Sequence, residues 1–275
     1  MQILGFFVLV GLALSLVDVR GVWDHARNLS APTLIAAVGL HIAIVVLAAW
    51  RFALLVRSFN VPLRIGEANR LTFGSTLANL CLPTSLAGDA ARVALVRRHG
   101  LTWRAAVSVG IFDRMIGLLA LCALAAYGTI FADAAIPRVV VIGCLVIALV
   151  STLGAVRLSR SAILSTRLSI QTFALSMGGH LISIVIAAIL LSDLGVEVEI
   201  GVLAALFPAI LLAASLPISI GGWGTRELAA TAAFSTIGME PSVAVAMAFL
   251  FGATQLAAAA LGTGVALVLG RKDRL

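Results

Sequence analysis

The chain has 275 residues, of which 61% are hydrophobic and only 11% are charged. A soluble domain carries about 25% charged residues, so this composition indicates an integral membrane protein and excludes a sizeable soluble domain. The formal net charge of +7 would suggest nucleic acid in a soluble protein, but the basic residues lie mostly in loops on one predicted side, in agreement with the positive-inside rule. We therefore expect a single membrane domain over residues 1–275 and no nucleic-acid partner.

The apolar runs predict an all-α, polytopic membrane bundle of about seven or eight transmembrane helices, because about 20 apolar residues are needed to span the hydrocarbon as a helix. In chain order, the predicted membrane segments are 1–17, 33–56, 71–82, 105–131, 139–156, 170–191, 200–214, 228–237 and 242–269. Segments 71–82 and 228–237 are too short to cross comfortably. The pattern favours two broken or re-entrant segments there, with full crossing as the alternative.

Two similar motifs interrupt the apolar pattern. Residues 216–227 read Leu-Pro-Ile-Ser-Ile-Gly-Gly-Trp-Gly-Thr-Arg-Glu, and residues 82–92 share Leu-Pro-x-Ser-x-x-Gly-x-x-x-Arg with them. Irregular backbone inside a membrane survives only where protein covers it or a wet cavity reaches it, and paired interrupted segments are typical of transporters built from internal repeats. The motifs at 79–92 and 216–227 therefore predict an internal repeat around a central site, with two chance helix breaks as the alternative. The motif residues that shape the backbone are Pro83, Gly88, Pro217, Ser219, Gly221, Gly222 and Gly224.

Charged residues lie in or beside these membrane segments. A charge at the bilayer centre costs about 2.5 to 3.5 kcal/mol on insertion scales, so a cluster without a role would be expensive. Internal ion pairing, for example of Arg114 with Glu227 or Asp89, is one interpretation, and a polar cavity that binds a ligand is the other. The candidates are Asp89, Arg92, Asp113, Arg114, Arg226 and Glu227.

The arginines suit a phosphate ligand, because the planar guanidinium group makes bidentate, charge-assisted bonds that lysine cannot copy. We expect Arg92, Arg114 and Arg226 to bind a lipid head group. The acids Asp89, Asp113 and Glu227 are expected to pair with these arginines or to gate the cavity. We find no metal-ligand cluster, phosphate-loop signature or catalytic Ser-His-Asp combination in the sequence, and expect no metal, cofactor or catalytic residue.

Four other polar positions have simpler interpretations. Ser85 and Ser219 are expected to satisfy backbone groups in the broken helices. His41 and His180 lie inside predicted spans, where a hydrogen bond to a neighbouring helix is a more ordinary role than proton relay.

The motifs resemble those of a known family. Residues 79–92, then Asp113-Arg114 followed by Gly117, then residues 217–227, together resemble the lysylphosphatidylglycerol synthase transmembrane-region family of flippase-like membrane proteins. The resemblance covers nearly the whole chain and implies about eight membrane helices and the movement of a lipid, or of a glycosylated or hopanoid-type lipid, between leaflets. The chain ends without the soluble aminoacyl-transfer domain of the full synthases, so lysine transfer is not expected, and Asp113 stands where the family often has Glu.

These observations predict an integral membrane lipid translocase, not an enzyme, that binds an anionic or glycosylated head group of a phospholipid, glycolipid or polyprenyl- or hopanoid-type lipid. A non-catalytic membrane subunit for a partner glycosyltransferase or aminoacyltransferase is one alternative. A membrane-embedded lipid-modifying transferase with Asp89 or Glu227 as general base is another. The sequence leaves the lipid, the energy source and the oligomeric state open.

The loop charges also predict an orientation. Basic residues concentrate on the side of Arg57, Arg97 and Arg157, whereas the acidic loops lie on the other side. The positive-inside rule then places both termini in the cytoplasm of a prokaryotic cell, with the chain in the inner membrane. On the same count, both interrupted motifs are expected to begin from the cytoplasmic side.

Overall fold

A computed structural model describes residues 27, 29–82, 87–131, 146, 165–216 and 219–272. In these ranges the regular elements are all helical, which confirms the predicted all-α polytopic bundle. The predicted spans 1–17 and 139–156 lie outside the described residues, apart from residue 146. The α-helices in the described part of the chain are α1 (Ala31–Arg57), α2 (Ile65–Cys81), α3 (Ala87–Val96), α4 (Trp103–Phe131), α5 (Thr166–Asp193), α6 (Ile200–Ser215), α7 (Thr225–Phe234) and α8 (Pro241–Lys272).

Four of these helices, α1, α4, α5 and α8, are long and apolar enough to cross a membrane. The 28 residues of α5 extend about 42 Å at 1.5 Å per residue, more than the roughly 30 Å of hydrocarbon. Hydroxyl caps begin two of the helices: Ser30 Oγ accepts from the Thr33 N–H before α1, and Ser165 Oγ accepts from the Leu168 N–H before α5. The chain is therefore a multi-pass membrane protein.

Helices α1 and α5 pack against each other in opposite directions. The Ser30 N–H, at the start of α1, donates to Asp193 Oδ2 at the end of α5 over 2.7 Å. We call the end of the bundle that carries Ser30, Asp193 and Glu240 the acidic side. The opposite end, which carries Arg57 and Arg97, is the basic side.

Helices α2 and α3 form the first helical hairpin, hairpin A (residues 65–99). At its open end, Glu67 Oε1 lies 3.1 Å from His99 Nε2, just beyond α3. Near its tip, the Gly88 N–H donates to Asn79 Oδ1 over 2.7 Å. Because α2 has 17 residues and extends only about 26 Å, the chain turns back inside the bundle, and segment 71–82 re-enters on the basic side.

Helices α6 and α7 form the second hairpin, hairpin B (residues 200–237). Its tip lies where Gly222 approaches Ala214, and its open end surrounds a cavity of 410 Å³ lined by Val202, Ile237 and Glu240. Hairpin B therefore opens on the acidic side. The expectation that both motifs begin from the cytoplasmic, basic side is wrong for one of them, because α6 starts on the acidic side and ends within the bundle.

The two hairpins belong to an inverted internal repeat. Each lies between two long helices, so that α1, hairpin A and α4 correspond to α5, hairpin B and α8. The helix contacts follow the same correspondence. Helix α4 packs on α6 of hairpin B, as α8 packs on α2 of hairpin A. Helix α4 also packs on α5, as α8 packs on α1. The internal repeat that the motifs predict is therefore present as two units of opposite orientation.

Apolar packing holds the two ends of the bundle. A cluster around Leu190, Phe207 and Met247 lies towards the acidic side, and one around Phe52 and Phe112 lies towards the basic side. Lipid tails are as apolar as these side chains, so close van der Waals contact, rather than removal from water, stabilises such helix pairs. Polar side chains lie between the two clusters, where the hairpins meet.

Candidate functional site

The tips of the two hairpins are in contact. Gly221 has a φ of +57°, and a Cβ atom built on it would lie 2.5 Å from the carbonyl oxygen of Leu80 in α2. Gly222 and Gly224 also have positive φ, of +79° and +84°. Glycine adopts such conformations without steric cost, so this run of glycines makes the turn and lets hairpin B reach hairpin A.

Gly88 and Gly222 are equivalent in the shared motif and have equivalent roles. A Cβ atom on Gly88 would overlap the backbone of Ser75 in α2, and one on Gly222 would crowd the backbone of Ala214 in α6. Each glycine thus allows the returning half of its hairpin to approach the first half. Pro83, Ser85 and Pro217 lie outside the described residues.

A pair of hydroxyl groups stabilises the turn of hairpin B. Ser219 Oγ lies 3.0 Å from Thr225 Oγ1, and Thr225 Oγ1 donates to the Gly222 carbonyl over 2.9 Å. Ser219 is fully buried. It was expected to bond directly to the backbone, but it acts on the turn through Thr225.

Asp113 is the buried centre of a charged network beside the tips. Arg51 Nε in α1 donates to Asp113 Oδ1 over 2.6 Å, and Arg92 Nη2 in α3 donates to Asp113 Oδ2 over 2.7 Å. Arg51 Nη1 also donates to Ser176 Oγ in α5, and the Arg92 guanidinium lies 4.3 Å from the Phe52 ring centroid. Such charge-assisted bonds are about twice as strong as neutral ones, so Asp113 ties α1, α3 and α4 together.

The other end of the network is open. Arg114 Nη1 donates to Asp89 Oδ2 over 2.9 Å, and Asp89 Oδ1 accepts a longer bond of 3.4 Å from Arg92. The Arg114 and Asp89 side chains are 34% and 29% exposed, whereas the Asp113 side chain is 3% exposed. The network is therefore sealed at Asp113 and accessible at Arg114.

Arg114 also joins the two hairpins. Its Nη2 donates to the carbonyl of Ser215, the last residue of α6, over 3.0 Å. The carbonyls at a helix C-terminus lack intrahelical partners and carry partial negative charge, so a guanidinium group suits this position. Two ion pairs were considered for Arg114. The pair with Asp89 is present, whereas Arg114 bonds to the Ser215 carbonyl and not to Glu227.

Glu227 pairs instead with its neighbour Arg226. Arg226 Nη2 donates to Glu227 Oε1 over 3.2 Å, and the Gly224 N–H donates to Glu227 Oε2 over 2.6 Å. The Arg226 guanidinium lies 4.8 Å from the Trp223 ring centroid, and a side chain on Gly252 would overlap it. Both charged side chains are buried, so this pair holds the start of α7 against α8.

Sequence reasoning missed Arg51. It lies six residues before the end of α1, inside a predicted span in which only His41 was singled out, and an inspection of each span for single charges would have found it. Both histidines have a polar partner on a neighbouring helix, as expected. His180 Nε2 lies 3.0 Å from the Gly117 carbonyl of α4. His41 Nδ1 lies 3.4 Å from Thr254 Oγ1 of α8 and 3.0 Å from the Ala37 carbonyl of its own helix.

The fold and the site define a polytopic helical membrane protein in which two re-entrant hairpins of opposite orientation meet at an arginine–aspartate network. The family profile described as lysylphosphatidylglycerol synthase TM region matches residues 2–262, and the chain belongs to this family. This membership confirms the resemblance and connects the protein with lipid processing in membranes. Among curated proteins, no sequence matches the chain.

Proposed function

We propose that this protein is a lipid translocase, without a catalytic step, in which Arg114 binds the anionic head group of a lipid that moves between leaflets. One observation carries the proposal. Arg114 is partly exposed, and it bridges Asp89 of hairpin A and the Ser215 carbonyl of hairpin B. Arg114 therefore lies at the contact between two inverted units. Transporters built from inverted repeats have their substrate sites at this interface.

The bonds of Arg114 give head-group binding a mechanical consequence. A phosphate oxygen is a charged acceptor and binds guanidinium more strongly than the neutral Ser215 carbonyl does. A head group that takes this place frees the end of α6. Hairpin B then moves relative to hairpin A, and the site becomes accessible from one side or the other.

The other predicted head-group residues take part after this movement. Arg92 and Arg226 are 6% and 2% exposed, so a lipid reaches them once the hairpin tips separate. Asp89 and Glu227 hold these arginines while the site is empty. In this proposal the basic side faces the cytoplasm of a prokaryotic cell, since arginine-rich loops remain on that side of the inner membrane.

Leaflet exchange of fluorescent lipids in proteoliposomes tests the proposal. We expect Arg114→Ala to slow exchange at least about tenfold, which corresponds to the loss of one charge-assisted bond. Arg70→Ala is the matched control: the Arg70 side chain is 35% exposed and pairs with Glu67 at 3.2 Å, away from the hairpin tips. Equal exchange by wild type and Arg114→Ala, at equal reconstitution, would overturn the proposal.

A wild-type protein that exchanges none of the anionic, zwitterionic and glycosylated lipids tried would also count against it. Two alternatives would then remain: a membrane subunit of a glycosyltransferase or aminoacyltransferase, and a lipid-modifying transferase, which product formation by the purified protein would reveal. Co-purification of a glycosyltransferase or aminoacyltransferase with the intact chain is the measurement that identifies the subunit role.

A further inference from the structure

The network at the hairpin tips is not electrically balanced. Asp113 pairs with Arg51 and Arg92, and Asp89 pairs with Arg92 and Arg114, at distances from 2.6 to 3.4 Å. Three guanidinium groups and two carboxylates leave one positive charge. The other ion pair buried in the described part of the chain, Arg226 with Glu227, is neutral by itself.

The excess charge is accessible at one place. The side chains of Arg51 and Arg92 are 14% and 7% exposed and are held by Asp113, whereas Arg114 is the most exposed member of the network. The partial negative charge at the C-terminus of α6, where Arg114 bonds to the Ser215 carbonyl, offsets only part of this charge, and charge left uncompensated within a bilayer is unfavourable. A single negative charge beside Arg114 completes the balance of the network.

Asp89 limits how much negative charge the site accepts. Its Oδ2 lies 2.9 Å from Arg114 Nη1, so an anion bound to Arg114 lies next to a carboxylate. A second negative charge on the anion would be opposed by this carboxylate, and like charges at such short range are disfavoured more strongly within a membrane protein than in water. A neighbouring repulsive group of this kind provides specificity as well as geometry.

We infer that Asp89 determines the charge selectivity of the site, which takes a singly charged phosphodiester head group in preference to a doubly charged phosphomonoester or a diphosphate. The inference rests on the proposed function, which locates the lipid site at Arg114. It adds the number of negative charges on the head group that the site prefers. It also separates two kinds of lipid that the sequence leaves open, because lipid-linked phosphates and diphosphates belong to the disfavoured class.

Equilibrium binding to the purified protein in a neutral detergent tests this inference without requiring transport. The probes are dihexanoyl phosphatidylglycerol, with one negative charge, and dihexanoyl phosphatidic acid at mildly alkaline pH, where a phosphate monoester carries two. We expect wild type to bind the first more tightly. Asp89→Asn should shift the affinity ratio towards phosphatidic acid on the order of tenfold, and Asp89→Glu should retain the wild-type preference.

Arg51 provides an independent test at a distance from the bound lipid. Its guanidinium contacts Asp113 and Ser176. Arg51 therefore contributes to the net charge of the network, whereas Arg114 contacts the bound lipid. We expect Arg51→Gln to weaken binding of both anionic probes about tenfold and to leave the weak binding of dihexanoyl phosphatidylcholine unchanged. Arg51→Lys keeps the charge and should restore anion binding.

The outcomes distinguish this inference from the translocase proposal. An affinity ratio that Asp89→Asn leaves unchanged overturns the inference, even if leaflet exchange is fast. Loss of binding for phosphatidylcholine as well as for the anions in both Arg51 variants overturns the charge argument and indicates a structural role. Charge-selective binding without leaflet exchange upholds the inference and rejects the translocase.

Discussion

Gly221 packs directly against Leu80, so the tips of two hairpins that open on opposite sides of the bundle touch each other. This contact places both interrupted motifs at one location, although they are separated by more than a hundred residues in the chain. Arg114 bonds to both hairpins beside the contact. The hairpin contact and the Arg114 bridge therefore form one structural unit.

We expect Gly221→Ala to destabilise the protein by about 2–4 kcal/mol, because the new Cβ would meet the Leu80 backbone and alanine at positive φ is strained. Thermal unfolding in detergent measures the effect. Gly195→Ala is the control, since Gly195 has a φ of +81° but open space around its Cβ position, and should cost only about 1 kcal/mol. Equal losses in the two variants would show that the hairpin contact contributes nothing.

Gly252→Ala should disturb the Arg226–Glu227 pair, because Gly252 of α8 contacts Arg226 although the two residues are far apart in the sequence. A Cβ on Gly252 would overlap the Arg226 guanidinium, which must then move away from Glu227. A loss of about 1–3 kcal/mol is expected from such crowding, again by thermal unfolding. Gly264→Ala lies on the same helix with nothing within 4 Å of its Cβ position and should be neutral or stabilising. A neutral Gly252→Ala would contradict the described packing.

Asp113→Asn should be among the most damaging conservative substitutions in the chain. It leaves the buried guanidinium groups of Arg51 and Arg92 without their shared carboxylate, and the loss of one partner from a buried ion pair costs about 3–5 kcal/mol. Glu67→Gln removes a carboxylate from the partly exposed contacts with Arg70 and His99 and should cost at most about 1 kcal/mol. Comparable losses would show that the network is better hydrated than its burial implies.

The opposite openings of the two hairpins can be tested by labelling. Arg98 lies at the open end of hairpin A and Glu240 follows hairpin B, and both are exposed. After replacement of the native Cys81, Cys122 and Cys144, we expect Arg98→Cys and Glu240→Cys to react with a membrane-impermeant maleimide from opposite sides of sealed vesicles. Labelling of both from the same side would contradict the inverted repeat.

The long helices could be predicted from the sequence because each is predominantly apolar over a length that spans a membrane, with few charged residues inside it. Predicted segment 105–131 corresponds to α4 (Trp103–Phe131), and segment 170–191 corresponds to α5 (Thr166–Asp193). The differences lie at helix ends, where capped polar turns continue the helix. Helix α2 begins at Ile65, six residues before the predicted segment. The prediction missed this start because the first turns of α2 are polar, and a polar stretch was assigned to a loop.

The site was predictable in part. Interrupted glycine-rich motifs and adjacent charges identified Arg114 and Asp89 as candidates, with Asp89 as one of two possible partners of Arg114, because both residues belong to recognisable local patterns. The Arg51–Asp113 bond and the Arg114–Ser215 bond join separate helices. Such contacts depend on how the helices pack, which no local pattern encodes. The orientation of hairpin B was missed for a related reason, since loop charges do not reveal where a helix stops inside the bundle.

The inversion of the two units also bears on the direction of the lipid movement proposed above. In an inverted pair, the conformation open to one leaflet and the conformation open to the other use corresponding contacts with exchanged roles. We expect the two conformations to have similar free energies, so that neither leaflet is the built-in destination. Net lipid flow would then follow the difference in chemical potential between the leaflets, and reversing this gradient would reverse the flow.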